Sequence, residues 1–286
     1  MKTLQDIKSI AVIGAGTMGA GIAQISAMAG YKTILFDINQ DALGRGMNMI
    51  SKNLDGAVER GKLKAEQKEA ILNNIQDVNQ LDQVKADVII EAVLEKLDIK
   101  KDLFQNLARH NDADTILATN TSSIPVTQIA FGTPNPERVV GMHFFNPAHI
   151  MKLVEVISGA STSDETAYTI KELAEKLGKT AVMAQDSPGF IVNRVARHYY
   201  VEALKVLEEN VAGFEIIDEL MENSGFKMGP FKLMDLIGVD TNFDVTSSIY
   251  NQFQQDGKFR PSRIQKQKVD AGFHGKKTKK GFYEYE

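Results

Sequence analysis

A strand that runs straight into a glycine-rich turn and then into a helix limits this chain more than any other feature. Ser9-Ile10-Ala11-Val12-Ile13 reads as a buried strand, Gly14-Ala15-Gly16-Thr17-Met18-Gly19 follows, and AGIAQISAMAG continues with helical character. A second strand, Lys32-Thr33-Ile34-Leu35-Phe36, ends at Asp37. Three glycines at this spacing, with an acid about 20 residues further on, fit a βαβ unit that binds a dinucleotide. Gly14 permits the tight turn, Gly16 lets a pyrophosphate approach the backbone, and Gly19 lets helix and strand pack closely. Thr17 and Met18 open the helix, whose N–H groups and positive dipole end face the phosphates. Asp37 accepts hydrogen bonds from an adenosine ribose and repels a 2′-phosphate. Ile38 and Asn39 offer no arginine to reverse that preference, so NAD is expected rather than NADP. The alternative is a glycine-rich turn without a ligand.

Residues 41–76 change character to long polar helices with a turn at Arg60-Gly61-Lys62, read as a two-helix insertion. Lys52, Arg60, Lys62 and Lys64 are candidates for contacting an anionic substrate, against the alternative of a solvated helical face. Strands resume at 87–91 and 115–119, with a helix over 98–109 between them. Ala92-Val93-Leu94-Glu95 and Asn120-Thr121-Ser122-Ser123 follow their carboxyl ends, where open α/β sheets bind ligands. Asn120 and Ser122 are therefore site candidates, or else turn and capping residues before Pro125.

The stretch VVGMHFFNPAHIMKLVEVISG, residues 139–159, reads as strand, break and strand. Antiparallel pairing about His149 places His143 opposite Glu155, with Cβ atoms about 4.5–5.5 Å apart on one face. The other members of that face are apolar or Gly, so an imidazole and a carboxylate there satisfy one another. Such a carboxylate sets the tautomer of the ring and stabilises its protonated form, as a general base requires. A purely structural His–Glu bridge is the alternative.

A helix over 163–177 and a strand over 180–183 complete this part. Ser187 as N-cap and Pro188 at the first helical position are expected to start a helix. From there the chain reads as helical only: 190–209, 214–223, 239–253 and about 262–270. The expectation is an α/β, Rossmann-type, mostly parallel sheet domain with a helical-hairpin insertion over 1–185, then an all-α domain over 186–286. Apolar residues at 191, 192, 195, 199 and 203 form a stripe read as core, with Asn193 off it, in the first helical turn near the junction. Lys276, Lys277, Lys279 and Lys280 read as a solvated loop.

Composition narrows the function. A hydrophobic content of 43%, a charged content of 24% and a net charge of −4 give no reason to expect nucleic acid or an anionic membrane as partner. The absence of cysteine excludes disulfides and thiol chemistry. The five histidines show no metal-ligand spacing, so no metal is expected. A strand starting near residue 9 leaves no room for a targeting segment, and no apolar run reaches the ~18–20 residues of a membrane span. A cytoplasmic location is expected.

Taken together, GAGTMGAGIAQ, IIEAVLEKLDIKKDLF, LATNTSSIPVTQIA, RVVGMHFFNPAHIMKLVEVI, DSPGFIVNR, MGPFKLMDLIGVD and KKGFYEY resemble the 3-hydroxyacyl-CoA dehydrogenase family, in order and over nearly the whole chain. The resemblance implies His143 as general base with Glu155 as its partner, and Ser122 and Asn193 at the substrate. It also implies Glu95, Lys100, Asn120 and Asn146 near the nicotinamide cofactor, together with the glycine turn, Asp37, Ala92 and Val93. The implied reaction is reversible oxidation of an (S)-3-hydroxyacyl-CoA, of short chain, by NAD. An active site in the cleft between domains and dimerisation through the helical domain are implied as well. One departure stands out. The family carries several lysines on the helix that here reads Lys52-Asn53-Leu54-Asp55-Gly56-Ala57-Val58-Glu59-Arg60, so Asp55, Gly56 and Glu59 dilute its charge and CoA contacts fall on Lys52 and Arg60. That dilution favours a rival, a dehydrogenase of a hydroxy or sugar acid without CoA. A non-catalytic NAD-binding relative is the other.

Overall fold

A computed structural model describes residues 2–286, in two compact units divided between Asp186 and Ser187. The first is built on one sheet. Its elements are β1 (Ser9–Ile13), α1 (Thr17–Met28), β2 (Lys32–Phe36), α2 (Gln40–Glu59), α3 (Ala65–Asn73), β3 (Ile75–Val78), β4 (Val88–Glu91), α4 (Leu97–His110), β5 (Ile116–Thr119), α5 (Val126–Ala130), β6 (Val139–Phe144), β7 (Leu153–Ser158), α6 (Asp164–Lys176) and β8 (Thr180–Gln185). The eight strands lie in the order β3-β2-β1-β4-β5-β6-β7-β8. Every neighbouring pair is parallel except β6 and β7, which are antiparallel.

The central strands are continuous apolar runs because both faces of a parallel sheet are covered. Ile10, Val12, Ile13, Val88, Ile90, Ile116, Ala118 and Val140 have no exposed surface. Each buried Ile or Val contributes about 1.5–3 kcal/mol relative to exposure. α2 starts where Asn39 accepts hydrogen bonds from the Asp41 and Ala42 N–H groups, and it buries Leu43, Ile50 and Leu54 at helical spacing.

Two elements of this unit differ from the sequence reading. The polar segment 41–76 is not a free insertion: its last residues form β3, an edge strand parallel to β2, so the two helices are the crossover between them. β3 is only half apolar, with Gln76 and Asp77 exposed, and so carries little strand signal. The short helix α5 was also not expected. Asp186, read as a boundary marker, accepts hydrogen bonds from the Val126 and Thr127 N–H groups (3.0 and 2.8 Å) and thereby fixes its first turn.

The second unit is helical: α7 (Val192–Glu208), α8 (Phe214–Asn223), α9 (Pro230–Ile237), α10 (Val239–Gln252) and α11 (Arg263–Asp270). The helix start expected at Ser187 and Pro188 is displaced. Residues 187–190 form a turn closed by the Phe190 N–H on the Ser187 carbonyl, and Gly189 and Phe190 both have positive φ (75° and 49°), which a right-handed helix cannot include. Asn193 nevertheless remains in the first turn of α7. The apolar stripe is not core throughout either. α7 buries Arg197, Tyr200, Val201, Ala203 and Leu204, whereas Val195 is 69% exposed. The aromatic cluster of Phe231, Phe282, Phe214 and Tyr200 sets that burial, on a face that includes a polar residue, Arg197, held by the Asn242 carbonyl and the Thr246 hydroxyl. α9, missed in the sequence, starts at Gly229-Pro230, with the Asp218 carboxylate accepting from the Phe231 and Lys232 N–H groups.

Among the described residues no helix is long and apolar enough to cross a membrane.

Candidate active site

The β6–β7 hairpin aligns Gly141 with Ile157, Met142 with Val156 and His143 with Glu155. The imidazole and the carboxylate share one face, with Nδ1 2.8 Å from Oε2 and both side chains almost fully buried. A carboxylate on Nδ1 favours the tautomer that carries its proton there and leaves Nε2 as the basic nitrogen. The Phe145 ring lies tilted against the imidazole, 4.6 Å between centroids. Asn120, at the end of β5, accepts a hydrogen bond from the Phe144 N–H (2.8 Å) and so pins the strand one residue after His143. Asn146 sits in the exposed turn that follows.

A second set of charges gathers at the carboxyl ends of β4 and β5. Glu95 accepts hydrogen bonds from the Thr121 hydroxyl (2.6 Å) and from the Ser122 and Ser123 N–H groups (2.9 and 3.1 Å), so it fixes the loop that presents Ser122. Burial pushes the Glu95 carboxyl up, but the Lys100 ammonium and these hydrogen bonds outweigh it and hold the group below the usual carboxylate range. The stabilisation is therefore present above the unfolded-state pKa and is lost only as pH falls through that lowered value. Lys100 is itself buried, with its ammonium 2.5 Å from Glu91 and 3.1 Å from Glu95. The second oxygen of Glu91 accepts from the Thr119 hydroxyl (2.6 Å). Lys100 thus neutralises two carboxylates, one of them without exposed surface.

The glycine turn fits a dinucleotide. Gly14 has φ 103°, and a Cβ there would lie 2.6 Å from the Ala92 carbonyl oxygen; one on Gly19 would lie 1.7 Å from that of Gly14. Nothing lies within 4 Å of a Cβ position at Gly16, where the backbone is open to approach. No side chain caps α1 and no acid occupies its first turn, so the Thr17–Gly19 end keeps its affinity for anions. Asp37 accepts from the Ala15 N–H through one oxygen and from the Asn39 N–H through the other, both at 2.9 Å. Each oxygen retains a second lone pair for a ribose hydroxyl. Ala92 and Val93 close against Gly14 from the neighbouring strand.

Beside α2 lies a cavity of about 700 Å³, lined in part by Gln24 and Met28 of α1 and by Lys52, Asn53, Gly56 and Arg60. Asp55 and Glu59 do not line it, and Asp55 instead pairs with Lys68 of α3 at 2.6 Å. Of the three residues expected to dilute the charge along α2, Gly56 alone lines the cavity, so there the dilution is a missing cation and not an added carboxylate. Lys62 is also in the lining, Lys64 is not.

Family models described as the NAD-binding and C-terminal domains of 3-hydroxyacyl-CoA dehydrogenase match residues 9–187 and 189–285. The chain belongs to the 3-hydroxyacyl-CoA dehydrogenase family. This family comprises NAD-dependent oxidoreductases acting on a CH–OH group. A 3-hydroxyadipyl-CoA dehydrogenase of Escherichia coli (strain K12) is 48% identical over 98% of this chain, which spans 59% of that relative's length. A probable 3-hydroxybutyryl-CoA dehydrogenase of Bacillus subtilis (strain 168) is 44% identical, over 98% of each chain. The crystal structure of an (S)-3-hydroxybutyryl-CoA dehydrogenase from Ralstonia eutropha superposes with a TM-score of 0.94 at 38% identity, covering 98% of this chain and 99% of that one.

Several residues at this 3-hydroxyacyl-CoA dehydrogenase site were missed in the sequence. Glu91 reads as the last residue of an apolar strand, and Thr119 and Thr121 as strand end and turn. The available signal was a charged residue inside VIIEA, which requires a buried partner. Lys179, whose ammonium donates to the Ala148 and Met151 carbonyls (2.5 and 2.9 Å), holds the β6–β7 connection, yet nothing local in Gly178-Lys179-Thr180 indicates it.

Proposed function

We propose that the protein catalyses reversible oxidation of a short-chain (S)-3-hydroxyacyl-CoA, of the 3-hydroxybutyryl-CoA type, to the 3-ketoacyl-CoA with NAD. The observation that carries this reading is the buried His143–Glu155 pair on the same sheet as a turn shaped for a dinucleotide, in a member of this family. His143 accepts the C3 hydroxyl proton at Nε2, and Glu155 stabilises the imidazolium that results. NAD held at the glycine turn, residues 14–19, and Asp37 would supply the acceptor for the hydride that leaves C3. Ser122, on the loop held by Glu95, and Asn193 hydrogen-bond the reacting oxygens and keep the substrate about 3–3.5 Å from its reaction partners. Lys100 and Asn120 hold the cofactor side in place through Glu95 and β6, with Asn146 beside them. Lys52 and Arg60 face the CoA moiety.

Following NADH absorbance with acetoacetyl-CoA against free acetoacetate and other hydroxy or keto acids tests the substrate class. Turnover of the CoA ester alone is the expected result. Turnover of the free acids at equal kcat/KM would favour the rival without CoA, and no turnover of any would favour a non-catalytic relative.

The helical unit is also proposed to form a homodimer. Val195, Val211, Ile216, Leu220, Phe226, Leu236 and Ile237 stay 45–69% exposed in it, more apolar surface than a solvated helical face needs. Leu220→Glu combined with Val195→Asp is expected to shift the protein from dimer to monomer in light scattering. An unchanged dimer mass in the variant would place the interface elsewhere, and a monomeric parent would refute the dimer.

A further inference from the structure

Six cationic side chains line the cavity beside α2, and no carboxylate does, in a chain whose formal net charge is −4. Lys52 and Arg60 come from α2, with Lys62 just beyond it; Lys152, immediately before β7, Lys176, in the last turn of α6, and Lys179 come from other elements of the lining. Lys179 is committed to the two backbone carbonyls that fix the loop carrying His149. Lys152 and Lys176 are different. Both are exposed, and among the described residues neither has a carboxylate within ion-pair distance, whereas Lys171, on the same helix as Lys176, pairs with Glu175.

The α2 contribution is thin by comparison. Gly56 has no side chain, and the Arg60 guanidinium lies back across it, with Nη1 3.1 Å from where a Cβ would stand. We propose that Lys152 and Lys176 are the principal phosphate-binding cations of the acyl-CoA site, and grip the nucleotide end of CoA from outside α2. This rests on the function proposed above. Ammonium groups suit the task as compact point charges that meet a phosphate from any direction. Their exposure leaves them reachable, and the absence of carboxylates leaves them without internal competition. The cation that α2 lacks at Gly56 is thus supplied from elsewhere in the lining.

The test is Lys152→Gln combined with Lys176→Gln, assayed with acetoacetyl-CoA and with acetoacetyl-pantetheine, which lacks the nucleotide. For the CoA ester kcat/KM is expected to fall about tenfold, two exposed ion pairs' worth, through KM with kcat unchanged. The pantetheine ester should be turned over as by the parent. Inhibition by 3′,5′-ADP should weaken in parallel, and the same pair of changes at Lys52 and Arg60 should cost less. Adding Gly56→Lys to the double variant displaces only the flexible tip of Arg60 and should recover part of the loss. A parental KM for acetoacetyl-CoA overturns the proposal, as does an equal loss on both esters. If the parent turns over neither ester, the proposed function fails instead, and calorimetric binding of 3′,5′-ADP to parent and variant still decides whether the cavity holds phosphates.

Discussion

His143→Gln is expected to lower kcat by about 10²–10⁴-fold, the range general-base removal usually costs, while NADH binds with unchanged affinity. The glutamine amide fills much of the same space and can still hydrogen-bond Glu155, so the hairpin register survives. What is lost is the proton acceptor. Because the glycine turn and Asp37 belong to the β1–α1–β2 segment and His143 to β6, fluorescence titration with NADH separates the two effects. Loss of both together would indicate a damaged sheet. A kcat within about threefold of the parent would reduce the pair to a structural bridge, because base catalysis accounts for far more than that.

Lys100→Met should be the most damaging single change to stability. It leaves Glu91, which has no exposed surface, with only the Val93 N–H and the Thr119 hydroxyl to offset a full charge. Removing one member of a buried pair costs about 3–5 kcal/mol, because the other remains charged and desolvated. Denaturant midpoints measure this directly. Combining Lys100→Met with Glu91→Gln removes the stranded charge and should recover a large part of the loss. If the double variant is no more stable than the single one, the pair is not the source of the effect. KM for NADH should rise in the single variant, since Glu95 loses the cation that holds it below the usual carboxylate range and the Ser122 loop loosens.

Much of this architecture is legible in the sequence alone. The register of His143 against Glu155 follows from counting outward from the break, because side chains alternate with a period of two and one face had to be apolar. The glycine turn announced itself through its flanks, a strand before and a helix after. What escaped was non-local. Glu91 and Lys100 are nine residues apart, and only the parallel crossover brings their charges together with Thr119. Lys152 and Lys176 share with α2 the lining of a cavity that no sequence spacing encodes. β3 was hidden because an edge strand of four residues, two of them exposed, has almost no periodicity to read. The helix start at Ser187 failed for another reason. Local capping signals were present, but Gly189 takes a left-handed conformation in close contact with Ile249, and tertiary packing overrode them.

The reversal of direction between β6 and β7 has a consequence of its own. In a sheet otherwise wired by long crossovers, this one reversal draws His143 and Glu155 from a single contiguous segment, twelve positions apart. Their spacing is therefore set by two neighbouring strands. With His143 as the proposed base, its alignment with Glu155 depends on this hairpin alone, and recognition of different acyl groups is free to drift through mutation elsewhere.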